Sequence, residues 1–172
     1  MRWLPFQLNP DLPEEGISRQ AYIERKFGPG GARSYSRVAG VGKEVGIEFA
    51  FDAVTVQPNT VNAHRLMHYG AQHGREDEVA ESLFQGYFQE GAVLTDLATL
   101  ADLGARAGLD RSELCTYLAS NDDRDLVLGA DLQARQAGIG GVPFFIFNRK
   151  LAVSGAHEPE TLLAAMLESL KD

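Results

Sequence analysis

Four consecutive apolar residues, Phe144-Phe145-Ile146-Phe147, are entered through Gly141-Val142-Pro143. A proline cannot donate to a sheet ladder, so Pro143 belongs at the first residue of that strand. Two readings of the entry stay open. A trans proline would simply start the strand; a cis Val142–Pro143 peptide would turn the Val142 backbone outward, where its N–H and C=O could pair with an extended chain. Asn148-Arg149-Lys150 is a turn, and Leu151-Ala152-Val153-Ser154 is the partner strand, which predicts a hairpin. Gly155 breaks it. Pro159 suits a first helical position, and Leu162, Leu163, Met166, Leu167 and Leu170 are expected to form the buried face of a C-terminal helix.

Upstream of this unit helical patterns dominate. Trp3, Phe6 and Leu8 mark Arg2–Leu8 as a short strand, stopped by Asn9-Pro10-Asp11-Leu12-Pro13. Ser18 is a helix cap, with the helix running through Phe27 to Gly28-Pro29-Gly30-Gly31. Tyr35, Val38, Gly42 and Val45 repeat at three and four residues and predict a second helix. Ile47 to Phe51 reads as a strand or extended segment. Asn59-Thr60 starts a helix to about Gly74. Asp77 starts another, with Val79, Leu83, Phe84, Tyr87 and Phe88 on one stripe. Thr95 or Asp96 opens the next, ending at Gly108. Asp110-Arg111-Ser112-Glu113 matches a capping box. Asp122-Asp123 starts the last, with Gly138 at its end. The acidic pairs at helix starts are explained by the helix dipole alone.

Composition narrows the functions. The 172 residues carry 16 Lys+Arg against 24 Asp+Glu, a net charge of −8. That argues against nucleic acid, whose phosphates need clustered cations, and against anionic membrane surfaces. No apolar run is long enough to span a bilayer. No apolar leader region precedes Asn9, and Cys115 is the single cysteine, which excludes an intramolecular disulfide. A cytoplasmic domain is the expectation.

Other candidate chemistry is weak. His64 and His68 share a helix face, but His73 lies on the opposite side and no third ligand follows, so no metal site is expected. Arg65 is free to pair with a carboxylate. Gly40-Val41-Gly42-Lys43 is followed by Glu44 and is no phosphate loop; Gly138-Ile139-Gly140-Gly141 precedes a strand, the reverse of a dinucleotide fingerprint. Cys115, between Leu114 and Tyr117, reads as a buried structural thiol.

Gly-Val-Pro, the hairpin, Ser154-Gly155-Ala156 and the Leu-rich terminal helix resemble the last third of thioredoxin-fold proteins of the DsbA family. The FrnE-like branch, related to 2-hydroxychromene-2-carboxylate isomerases, is the nearer match. Trp3-Leu4-Pro5-Phe6-Gln7-Leu8-Asn9-Pro10 resembles its second strand, and Asn59-Thr60-Val61-Asn62-Ala63-His64-Arg65-Leu66 resembles a helix start in its helical insert. Phe84-Gln85-Gly86-Tyr87-Phe88 fits as well. The resemblance implies an α/β fold: a DsbA-type thioredoxin-like sheet over 1–13 and 139–172, with an inserted all-helical domain over 14–138.

It also implies a thiol–disulfide oxidoreductase whose Val142 and Pro143 hold an extended peptide or other thiol or disulfide substrate. His157 is placed beside that groove. The family's strand–Cys-x-x-Cys–helix unit has no counterpart in these residues, so no catalytic cysteine carries over and disulfide exchange by this chain alone is not expected. Two expectations explain the gap: a reading of the gene that begins late, which is preferred, or a short protein that has lost redox chemistry. Isomerase and kappa-type transferase relatives bind glutathione, which makes glutathione an alternative ligand; a non-catalytic peptide-binding module is another. The unpaired edges left in the sheet predict rearrangement, direct pairing of Arg2–Leu8 with Pro143–Phe147, or homo-oligomer formation through a neighbouring copy.

Overall fold

Helix starts follow the caps, and the caps set the layout. The structure, a computed structural model, describes residues 1–28 and 32–171, without the side chains of 32–34. Pro29-Gly30-Gly31, the expected stop of the first helix, lies outside the described residues. Ser18 Oγ accepts from the Ala21 N–H and opens α1 (Arg19–Phe27). Asp96 Oδ2 accepts from Thr99 N at 2.9 Å and opens α5 (Leu97–Arg106); Asp110 Oδ1 does the same for Glu113 N and α6 (Arg111–Ala119). Between them run α2 (Ala32–Glu44), α3 (Val61–Gln72) and α4 (Glu76–Glu90), and then comes α7 (Arg124–Gln136).

Two cap details differ from the sequence reading. Glu113 does not reach back to its own N-terminus; its Oε2 accepts from Tyr69 OH at 3.0 Å. Asp123 makes no cap bond and instead accepts from Tyr117 OH at 3.0 Å. In both cases a buried-edge tyrosine hydroxyl competes for the carboxylate. Ile47–Phe51 is not a strand. Its end forms a short 3-10 turn, Phe51–Ala53, tied to α4 by the Ala50 N–H to Phe88 C=O bond of 2.8 Å.

The core lies among α3, α4, α5 and α6. Leu66, Val79, Leu100, Ala101 and Leu114 are fully buried there. The stripe expected on α4 divides: Val79, Leu83 and Tyr87 face the core, while Phe84 is half exposed and meets Trp3 at a tilt, ring centres 6.3 Å apart. Gly104 lets α5 approach its neighbours, since a Cβ there would stand 2.4 Å from Leu114 Cδ1.

Arg65 on α3 is 1% exposed and, among the described residues, finds no carboxylate, contrary to the sequence expectation. Its guanidinium donates to the carbonyls of Tyr117, Leu118 and Ser120 at the end of α6, to the Asp122 carbonyl and to Asn62 Oδ1, at 2.8–3.1 Å. The last carbonyls of a helix lack partners and carry the negative end of its dipole. A five-donor cation satisfies several of them at once.

Arg2–Leu8 is likewise not a strand. Its backbone polar groups go to helix side chains instead of a ladder. Trp3 N donates to Glu76 Oε1 at 3.1 Å and Trp3 Nε1 to Asp77 Oδ1 at 2.7 Å. Gln7 N donates to Asp131 Oδ1 at 2.7 Å, and Arg135 donates to the Gln7 carbonyl. Among the described residues the sheet content is two separate antiparallel ladders. One, unforeseen, joins β1 (Ile17–Ser18) to β2 (Val56–Gln57). The other is the expected hairpin, β3 (Phe144–Phe147) with β4 (Leu151–Ser154). Its turn has Asn148 and Arg149 at positive φ and a 3.0 Å Lys150 N–H to Phe147 C=O bond, the mirror-image geometry that suits twisted strands.

The terminal helix α8 (Pro159–Glu168) packs on β4, and Asn148 Nδ2 donates to the Ser169 carbonyl at 3.2 Å. Leu163, Met166, Leu167 and Leu170, expected to be buried, are 43–64% exposed. The narrow hairpin covers only part of an apolar face this wide. Among the described residues β3 pairs with β4 alone, so Arg2–Leu8 and Pro143–Phe147 do not pair. No helix among the described residues is long and apolar enough to cross a membrane.

Candidate functional site at the hairpin entrance

The Val142–Pro143 peptide is cis. The Pro143 carbonyl accepts from the Gly155 N–H at 2.8 Å, which closes the base of the hairpin. One residue earlier the pairing stops. Among the described residues the Val142 N–H and C=O have no hydrogen-bond partner, and the residue is 47% exposed. A free donor and acceptor at a strand start form the unit to which an extended chain adds by backbone pairing.

His157 lies two residues beyond Gly155, the backbone partner of Pro143, so all three predicted residues come to the hairpin base. Its ring is exposed, with Nε2 3.0 Å from the Ser154 carbonyl. A carbonyl only accepts, so Nε2 carries the proton in this pairing. Nδ1 is left as the nitrogen available to a ligand.

The other candidates go elsewhere. Cys115 is half buried against the core, with Arg111 Nη1 3.7 Å from its sulfur. The three histidines of α3 and its end diverge. His68 Nε2 lies 2.9 Å from Gln72 Nε2 and 3.7 Å from Asp123 Oδ2. His73 donates to the Tyr69 carbonyl and stacks on that ring. Desolvation of the half-buried His64 ring pushes its pKa down, against a hydrogen bond to the Phe6 backbone and the nearby Asp131 charge. Among the described residues no group of three or more His, Cys, Asp or Glu could hold a metal ion.

Sequence reasoning passed over the seam between Arg2–Leu8 and α7. There Gln7 is buried with Oε1 unpartnered, beside the Asp131–Arg135 ion pair of 2.9 Å. The four-residue spacing of Asp131 and Arg135 was the available signal, and such spacing usually marks a solvated helix face.

This architecture has solved counterparts. The crystal structure of a probable DsbA oxidoreductase, SCO1869 from Streptomyces coelicolor, is similar with a TM-score of 0.86 and 25% identity, over 95% of this chain and 72% of that one. The uncharacterized protein YwbO of Bacillus subtilis (strain 168) is 26% identical over 152 residues, which is 85% of this chain and 70% of that protein. Residues 1–167 match the family described as the DSBA-like thioredoxin domain. The fold is therefore of the DsbA-like thioredoxin type, mixed α/β and mostly helical, and the chain belongs to the DSBA-like thioredoxin domain family.

Proposed function

We propose that these residues form the substrate-holding half of a DsbA-like thiol–disulfide oxidoreductase of the FrnE-like branch. The observation that carries the reading is the unpartnered Val142 backbone at the open entrance of β3, next to Pro143 and across the hairpin base from His157. An extended peptide, or the shorter γ-glutamyl peptide glutathione, pairs with Val142 and is flanked by His157. A second copy of the chain is the competing occupant of the same edge.

Disulfide exchange requires a thiolate that attacks one sulfur while the other leaves, and a second thiol that resolves the mixed disulfide. The 172 residues contain one cysteine, Cys115, on α6 and away from the hairpin. Binding without turnover is the activity these residues support by themselves.

Insulin reduction in dithiothreitol, run beside capture on immobilised glutathione, tests this. The expected result is an insulin precipitation rate equal to the protein-free control. Capture on glutathione would identify the smaller ligand; insulin turnover by these 172 residues would contradict the proposal.

A further inference from the structure

Every buried apolar side chain among the described residues lies between Phe6 and Val127, so none belongs to the hairpin or to α8. Over 142–171 only Ser169 is buried. The bonds of this unit are internal to it. The Gly155 N–H closes the hairpin base on the Pro143 carbonyl, Asn148 Nδ2 ties the turn to the Ser169 carbonyl, and Lys150 Nζ donates to the Lys171 carbonyl at 3.0 Å. The Phe145 and Phe147 rings stack on each other, 6.3 Å apart. Among the described residues no hydrogen bond, ion pair or ring contact reaches from 142–171 to the helices before it. The last tie is the 3.1 Å bond from the Ile139 N–H to the Ala134 carbonyl at the end of α7. Beyond it Gly140 and Gly141 stand in open space, where an added Cβ would touch nothing.

A unit joined in this way has to hold itself together. A single two-stranded hairpin is at best marginally stable in water, and chains below roughly 40 residues usually need a disulfide, a metal or a partner. The one cysteine stands on α6, and among the described residues no group could hold a metal ion. A helix as short as α8 is not stable by itself, and the sheet beneath it leaves Leu163, Met166, Leu167 and Leu170 half exposed. The helical body is the opposite case. Leu66, Leu100 and Leu114 are wholly removed from water, so α3 to α6 open only when the core does. Elements with few buried apolar contacts form the low-stability end of a structure and open without the rest.

We propose that 142–171 is a separate cooperative unit, which melts and re-forms beyond Gly140-Gly141 while α3 to α6 stay folded, and that a chain paired at Val142 draws it into its ordered state; the second half rests on the substrate reading above. Native-state hydrogen exchange of the full ¹⁵N-labelled chain tests both halves. The hydrogen-bonded amides of β3, β4 and α8 are expected to be at least about a hundredfold less protected than those of Leu66, Leu100 and Leu114, and to share one dependence on low urea. Leu114→Ala is expected to speed exchange in α3 to α6 and to leave the rates of the unit unchanged. Equal protection in the two regions, or rates in the unit that follow Leu114→Ala, would overturn separate opening. With an extended hexapeptide bound, serine replacing its cysteine, protection is expected to rise severalfold over 142–171 alone. Bound peptide without that rise would overturn the coupling. Absence of binding would remove the coupling together with the substrate reading, and separate opening would stand on its own rates.

Discussion

Arg65→Met is expected to destabilise the fold by about 3–5 kcal/mol, since several backbone carbonyls lose a charge-assisted hydrogen bond at once and each buried acceptor left unmade costs about 1–3 kcal/mol. For a chain of this size that lowers the melting temperature by roughly 10 °C. The effect is large because only the Tyr117 carbonyl has a further donor, from the Ser120 N–H and hydroxyl. The Leu118, Ser120 and Asp122 carbonyls at and after the end of α6 lose the guanidinium together, in or at the edge of the core. A buried acceptor left unmade costs its full desolvation, which exceeds the net worth of the bond when made. Arg65→Lys is expected to recover little, since one ammonium has three donors on a single atom and cannot span carbonyls from Tyr117 to Asp122. Thermal unfolding followed by circular dichroism reads both variants. A loss below about 1 kcal/mol for Arg65→Met would mean that water replaces the guanidinium.

The second large effect is a coupled pair. Leu114 is fully buried, and Leu114→Ala is expected to cost about 3–4 kcal/mol through lost transfer energy and the cavity left behind. Gly104→Ala overfills the same place, since its new Cβ would lie 2.4 Å from Leu114 Cδ1 and 2.9 Å from Leu66 Cδ1. Overpacking of that kind costs about 1–3 kcal/mol. In the double variant the new methyl enters the space that Leu114 vacates. The combined loss is expected to fall short of the sum by about 1 kcal/mol or more, as coupling between contacting residues does. Denaturant unfolding of the four proteins measures it. Strict additivity would show that α5 and α6 relax apart instead of sharing one cavity.

Where local chemistry decides, the sequence was readable. Pro143, Asn148-Arg149-Lys150 and Gly155 bound the hairpin, and the observed strands are the expected ones. Ser18, Asp96 and Asp110 cap as their residue types suggest. Where the outcome depends on what lies opposite, it was not. Arg2–Leu8 has the alternation of a strand, but pairing needs a neighbouring ladder, and Glu76, Asp77, Asp131 and Arg135 take its polar groups instead. The apolar pattern of α8 predicts a buried face, yet burial depends on the breadth of the sheet beneath it. Arg65 looks like any helix-surface arginine until α6 ends beside it. At the candidate site, Val142, Pro143 and His157 were legible because they are close in sequence across one hairpin.

Adding an extended hexapeptide with serine in place of cysteine to the ¹⁵N-labelled chain tests most directly whether the hairpin entrance holds substrate. Amide shifts should saturate and concentrate at Gly141, Val142 and Phe144 and at Gly155 to His157, with α3 to α6 unmoved. Shifts centred on the β1–β2 ladder, or none at millimolar peptide, would contradict a substrate-holding role for Val142.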